Sequence, residues 1–267
     1  MSDSTPRRAP SRRVRRNRTF VVAGLVLVLV VTVVATTVSR NASNPGQTAA
    51  DVETPGQTPT PSPSFNKQLF SVDDPASIWV VVDKLRPLTP QDYAAPDLVD
   101  LSVINANPSK LRQEAADALA AMFAAYTAAS GLKMASQSAY RSYASQVSIY
   151  NSNVKRLGQV GADLASARGG FSEHQTGLAL DIAASPANCT LDQCFADTPQ
   201  GEWLAANSWQ YGFILRYPNG YTDVTGYQFE PWHYRYIGVA ASTEYHREGA
   251  TTLEGFFALP AAPDYKH

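Results

Sequence analysis

Two cysteines and four histidines are all the chain has of two residue types that commonly hold metals, in 267 residues. A structural zinc site on cysteines alone is excluded, because such sites use four ligands. Cys189 and Cys194 enclose only four residues, and no other Cys or His lies near enough in sequence to complete a site with them. In an exported chain such a pair reads as a local disulfide. It would close a small loop and add only modest stability. An excess of charge of one sign is missing too: 22 Lys and Arg oppose 23 Asp and Glu, for a net charge of −1. That balance hides an asymmetry. Arg7, Arg8, Arg12, Arg13, Arg15, Arg16 and Arg18 crowd the first residues, and the remainder is acidic overall.

Long apolar runs are absent with one exception. Residues 20–38 hold Val, Leu, Ala and Thr with a single Gly and no charge. A run near 20 residues is what a bilayer asks of a helix, and arginines before it favour a cytoplasmic N-terminus. An arginine arm by itself could bind nucleic acid, but an apolar run directly after it argues for a membrane anchor. The run exceeds the apolar core of an ordinary signal peptide; cleavage near residues 34–39 stays open, and would leave a secreted protein. Residues 39–64 are rich in Pro, Thr and Ser and cannot bury enough surface to order themselves. They read as a spacer. The organisation expected is a basic cytoplasmic arm at 1–19, an anchor at 20–38, a linker at 39–64 and one globular domain at 65–267. The domain would stand outside the cell on a single-pass anchor.

Within the domain, residues 77–82 read as a strand. Residues 110–129 place Leu111, Ala115, Leu119, Met122, Phe123 and Tyr126 at helical spacing, with Ser109 as cap and Gly131 as stop. Strands are expected at 132–140, 178–183, 212–217 and 232–237. Helices are expected at 142–157, 161–168, 199–211, with Pro199 in its first position, and 239–247. The class is α+β: a small, mostly antiparallel sheet with flanking helices.

Two stretches carry chemistry. In the first, Thr176-Gly177 breaks the chain before a strand in which Asp181 points opposite Leu180 and Ile182. A carboxylate in a strand this apolar is costly unless something pairs with it. In the second, Glu230-Pro231-Trp232-His233, the proline forbids a helix interior. A turn entering a strand then aims Glu230 and His233 at one pocket. Each residue alone has a plainer reading: His174 as a surface group, Asp181 as a turn former, Glu230 as a solvated charge, His233 as a packed core histidine. Together they supply three ligands and a spare carboxylate, the inventory of a catalytic zinc site.

Ser172-x-His174-x-x-Gly177-x-Ala179-x-Asp181 followed by Glu230-x-Trp232-His233 resembles the signature of VanY-like D-alanyl-D-alanine carboxypeptidases, zinc peptidases of the LAS type. The likeness extends to Tyr140-Arg141-Ser142, Gly201-Glu202-Trp203-Leu204 and Arg216-Tyr217-Pro218, and covers about residues 66–238. It implies zinc on His174, Asp181 and His233, one ion per chain. It implies Glu230 as the base that deprotonates the attacking water. It also implies Arg141 as the group that holds the substrate's terminal carboxylate, which a planar guanidinium suits. Ser136, Gln146, Ser172 and Trp232 are further candidate substrate contacts, Trp232 also as a support behind His233. The expected substrate is a peptidoglycan stem peptide losing its last D-alanine, with the membrane as a partner, no nucleic acid and a monomeric state. An L,D-carboxypeptidase or a peptidoglycan endopeptidase would share the zinc core. A non-catalytic wall-binding module would have no need of Glu230.

Overall fold

The computed structural model describes residues 65–266. The arm at 1–19, the anchor at 20–38 and the linker at 39–64 lie outside the described residues. No helix among the described residues is long and apolar enough to cross a membrane.

A short hairpin, β1 (Leu98–Asp100) with β2 (Lys110–Arg112), opens the regular structure, followed by helix α1 (Gln113–Ser130), β3 (Lys133–Ser138) and α2 (Tyr143–Ala165). A 3-10 turn at Glu173–Thr176 leads into β4 (Ala179–Ser185). Then come α3 (Pro199–Asn207), β5 (Phe213–Leu215), the single turn α4 (Thr222–Thr225), β6 (His233–Tyr236), α5 (Val239–Arg247) and α6 (Leu253–Phe256). The main sheet has the order β3-β4-β6-β5 with every pair antiparallel. This is the expected mixed α+β class.

The two faces of the sheet differ because side chains alternate along a strand. Leu180, Ile182 and Ala184 of β4 and Tyr234 and Tyr236 of β6 share one apolar core with Leu119, Met122, Phe123 and Tyr126 of α1. Burying a side chain of that size contributes roughly 1.5–3 kcal/mol, so this face anchors the domain. The alternate residues Asp181, His233 and Arg235 are equally buried but polar. They make up the opposite, polar face of the sheet.

Several local signals act as the sequence implies. Gly131 ends α1 in the left-handed conformation, and the Ser142 hydroxyl accepts from Ser145 N–H at 3.3 Å to start α2. The break between the helices expected at 142–157 and 161–168 falls at Gly158, whose φ of 73° and ψ of 170° interrupt a single long element. Thr198 caps α3 by accepting from Gly201 N–H at 3.1 Å.

Two expectations need correction. Helix α1 begins three residues late, and Ser109 does not cap it; its hydroxyl donates to the Asn107 carbonyl instead. Residues 110–112 are drawn into the hairpin with β1, which supplies the backbone partners a first helical turn lacks. Residues 77–82 are not a strand. Their alternation is real, since Trp79 and Val81 join one apolar cluster and Val80 and Val82 another. The carbonyls of Ile78 and Val80, however, accept from the Arg235 guanidinium at 3.0 and 2.8 Å, so a buried side chain takes the place of a neighbouring strand.

Candidate metal centre

Sheet register brings the centre together. Asp181 of β4 lies directly opposite His233 of β6, the closest pairing two strands offer. His174 arrives from the 3-10 turn just before β4. That turn closes on Gly177, whose φ of +70° favours glycine; a Cβ there would lie 2.7 Å from Leu98 Cδ2. Glu230 reaches the same place from the turn before β6, where the His233 N–H donates to the Glu230 carbonyl at 3.0 Å. One ligand atom each from His174, Asp181 and His233 can be chosen so that all lie within 4.8 Å of one another.

The hydrogen bonds fix which atoms face inward. His174 Nδ1 lies 2.7 Å from the Ala139 carbonyl, which can only accept, so Nδ1 carries the proton and Nε2 presents a lone pair. That Nε2 is 3.4 Å from Asp181 Oδ1. His233 is held the other way round. Its Nε2 donates to Glu173 Oε2 at 3.4 Å, and its Nδ1 stands 3.3 Å from the same Asp181 oxygen. An outer acceptor behind each imidazole is the arrangement that orients metal-bound histidines. Two nitrogens and a carboxylate oxygen thus converge with few donors among them. A cation satisfies such a set, and the N/O donor chemistry suits zinc.

Electrostatics set the two imidazoles apart. Burial and the adjacent Arg141 push His174 down to about 4, so it is neutral and ready to ligate. Burial opposes charge on His233 as well, but its hydrogen bonds to Asp181 and Glu173 outweigh this and raise it to about 9, so without a cation Nδ1 keeps a proton toward Asp181 that a bound metal would displace. Asp181 stays well below the usual carboxylate range despite burial, because both imidazoles and Arg141 surround it. Burial pushes Glu230 up to about 8. Its Oε2 is 3.9 Å from His233 Nδ1, outside hydrogen-bond range but beside the cluster.

A cavity of about 430 Å³ opens over this centre, with Arg141, Gln146, Ser172, Trp232 and Glu230 on its walls. Arg141 is engaged: Nη2 donates to Asp181 Oδ2 at 2.7 Å, Nε to Ser138 Oγ at 3.0 Å and Nη1 to Gln146 Oε1 at 3.4 Å. It therefore braces Asp181 while a fifth of its side chain faces solvent. Gln146 spends its amide on holding Arg141 and the Ala167 carbonyl, which makes it a support rather than a free contact. Trp232 borders the cavity and packs into the core, and its carbonyl accepts from Ile182 N–H across the sheet.

Ser136 is the candidate that the structure removes from the cleft. It is fully buried, its backbone is bonded to Ile104 and Ala106, and its hydroxyl has no partner. A register irregularity between Ser136 and Ser138 puts Ser138 at the cavity instead. Cys189 and Cys194 form the expected disulfide, and Leu191 inside that loop borders the cavity.

Sequence reasoning missed three groups. Glu173 gave no signal beyond adjacency to His174, yet it is wholly buried and accepts the Nε2 proton of His233. Tyr217 packs its ring 4.8 Å from that of His233. Ile149, Asn153 and Arg156 extend the cleft wall along α2; their helical spacing from Gln146 was the available clue.

The chain matches the family profile described as VanY: D-alanyl-D-alanine carboxypeptidase over residues 108–239. It is 39% identical over 194 residues to YodJ of Bacillus subtilis (strain 168), which carries the name of a carboxypeptidase, covering 71% of this chain and 70% of that one. Among solved structures it is similar to the LdcB LD-carboxypeptidase, with 39% identity, a TM-score of 0.63, and 69% of this chain and 87% of that one covered. It is also similar to a vancomycin-resistance D,D-pentapeptidase, VanY, in complex with Zn(II), with 31% identity, a TM-score of 0.57, and 67% and 98% covered.

Proposed function

Because the chain belongs to the VanY family of D-alanyl-D-alanine carboxypeptidases, we propose that it is a zinc-dependent carboxypeptidase removing the terminal D-alanine from peptidoglycan stem peptides. The observation that carries this is the convergence of His174 Nε2 and His233 Nδ1 on one oxygen of Asp181, with Glu230 beside them in a buried cleft.

In this reading His174, Asp181 and His233 hold one zinc ion, and Glu230 is the general base. The ion, when bound, supplies acidification of water and polarisation of a carbonyl. The protein's own groups do the rest. Glu230 takes the proton from the attacking water and returns it to the leaving amine. A carboxyl raised by burial lies nearer neutrality than an ordinary one, which suits both transfers. A cation in the cluster would favour its ionised form before the reaction. Arg141 meets the free carboxylate of the departing residue while Ser138 and Gln146 keep its fork in place. Ser172 and Trp232 complete the inner wall.

The likeness to LdcB favours a second reading with the same centre, an L,D-carboxypeptidase acting on the shortened stem. Mass spectrometry separates the two. The zinc-loaded full chain is incubated with a muramyl pentapeptide and, separately, with a tetrapeptide, and Glu230→Ala serves as control. Loss of one alanine from the pentapeptide, absent in the control, supports the first reading. Cleavage of the tetrapeptide alone moves the assignment to the second. Cleavage of neither defeats both.

The proposal also sets the domain outside the cell as a monomer, carried by an anchor at residues 20–38 and the linker after it. Fractionation of cells with and without surface protease tests this placement; a soluble, protected chain would refute it.

A further inference from the structure

One charge on the cleft wall is used by nothing described so far. Gln146, Ile149, Asn153 and Arg156 follow one another along α2 at steps of three and four residues, so they share one helix face. All four border the cavity. Gln146 holds Arg141 at the inner end. Ten residues further along, at 1.5 Å per residue, Arg156 stands about 15 Å away from it.

Arg156 differs from its fellows. Eight arginines lie among the described residues. Arg86, Arg112, Arg141, Arg168, Arg216, Arg235 and Arg247 each pair with a carboxylate. Arg156 does not; its side-chain partner is a neutral amide, Asn153 Oδ1, at 2.8 Å. The carboxylates bordering the cavity, Glu173, Asp181 and Glu230, all belong to the metal centre or its backing. The outer cleft therefore presents a cation with no anion of its own.

We infer that Arg156 is a specificity-determining residue that receives a second carboxylate, upstream of the scissile bond, on an anionic stem peptide. The inference rests on the carboxypeptidase reading, in which Arg141 fixes the terminal carboxylate. An extended peptide advances 3.3–3.6 Å per residue, so about 15 Å reaches back to about the fourth residue from the end. In a stem pentapeptide that residue is a γ-linked D-glutamate with a free α-carboxylate. A diaminopimelate at the third residue from the end offers a carboxylate from a neighbouring position.

Four synthetic pentapeptides test this. They carry D-glutamate or its amide at the second position, each combined with lysine or diaminopimelate at the third. Steady-state kinetics are measured with the zinc-loaded full chain and with Arg156→Gln and Arg156→Glu. An exposed ion pair contributes up to about 1 kcal/mol, or about fivefold. Arg156→Gln is expected to lower kcat/KM about fivefold more for the peptide bearing the recognised carboxylate than for its neutral counterpart. Arg156→Glu should widen that ratio, and added salt should narrow it. Dependence on the second position identifies the glutamate carboxylate, and dependence on the third identifies diaminopimelate; either supports the subsite. Equal losses on all four peptides, or none, overturn it while leaving the carboxypeptidase reading intact. Calorimetry with zinc-loaded Glu230→Ala covers the remaining case. Charge-selective binding that Arg156→Gln abolishes, without cleavage of any peptide by the native chain, keeps the subsite and removes the catalytic reading; binding blind to Arg156 removes the subsite.

Discussion

Glu173 and His174 are consecutive residues on one turn, yet they serve two buried polar clusters of opposite character. Glu173 belongs to a closed one. Its Oε1 accepts from Arg216 at 2.8 Å and from Arg235 at 3.0 Å, and Arg216 meets Glu254 through two bonds of 2.9 and 2.6 Å. The remaining donors of Arg235 go to backbone carbonyls of Ile78, Val80 and Tyr236. Two carboxylates balance two guanidinium groups, and no side chain of the four is exposed. His174 belongs to an open cluster, in which one nitrogen of each imidazole faces a single oxygen of Asp181 on the wall of the cavity. Buried polar groups without partners are costly. A fold that completes one cluster from its own side chains and leaves its neighbour short of donors marks the second as the place for a cation. Glu173 joins them, since its other oxygen holds His233.

The closed cluster should fail first as structure. Arg216→Ala would leave Glu173 and Glu254 buried with too little positive charge. Removing one partner of a buried pair costs about 3–5 kcal/mol. Chemical denaturation should show that loss in the presence of chelator as well as zinc. If Arg216→Ala unfolds like the native chain, the network is not what holds the back of the site.

The open cluster should fail as chemistry. Glu230→Ala is expected to keep zinc, measured by elemental analysis, and to lose activity by about 10²–10⁴, the usual contribution of a positioned general base. His233→Ala should lose the metal itself. Zinc should raise the stability of the native chain, by about 2.7 kcal/mol at a hundredfold excess over its dissociation constant, and should do little for His233→Ala. Equal zinc stabilisation of both proteins would place the metal elsewhere.

Acid and base should separate the clusters with opposite signs. Burial alone would raise Glu173, but Arg216 and Arg235 hold it well below the ordinary carboxylate range. A depressed carboxylate contributes stability above its unfolded value, near 4.3, and loses it as the pH falls below that. Glu230 behaves in reverse. Burial raises it to about 8, so between about 4.3 and 8 the folded chain keeps a proton that the unfolded chain has released. Its contribution therefore falls as the pH rises through that window, with a slope of at most about 1.4 kcal/mol per pH unit. In chelator, His174 and His233 add slopes of opposite sign that both proteins share, so Glu230→Gln should make stability fall less, or rise more, from pH 5 to 8 than in the native chain and leave the acid limb in place. An identical pH dependence in both proteins would mean that Glu230 is not raised.

What could be read from the sequence follows from this contrast. His174, Asp181, Glu230 and His233 were legible because together they complete the signature the chain resembles, while their turns around Gly177 and Pro231 made one pocket plausible; strand pairing sets Asp181 against His233. The closed cluster was not legible. Arg216, Arg235 and Glu254 are far apart in the chain and meet only after folding. Residues 77–82 misled for the same reason, since their backbone partner is the Arg235 side chain. Ser136 misled because a single irregularity in β3 changes which serine meets the cleft, and alternation cannot announce a bulge. Arg156 was hidden by plain surroundings: its interest lies in the carboxylate it lacks.

The smallest effect should come from the disulfide, which touches neither cluster. Cys189–Cys194 closes a loop that presents Leu191 to the cavity, and Gln193 of the same loop donates to the Phe229 carbonyl beside Glu230 at 3.3 Å. Closing so short a loop is worth about 2 kcal/mol at most by chain entropy. Phe195, just beyond the bridge, is fully buried in the core. The loop's far end thus stays fixed without the covalent bond, and freedom gained on reduction is confined to residues near Leu191. The paired change Cys189→Ser with Cys194→Ser should therefore leave zinc content and kcat near the native values and raise KM severalfold for long stem peptides. A short dipeptide, which does not reach the outer wall, should show a smaller rise. A fall in kcat equal for both substrates would instead tie this loop to the placement of Glu230, through the Gln193–Phe229 bond, and would join it to the open cluster.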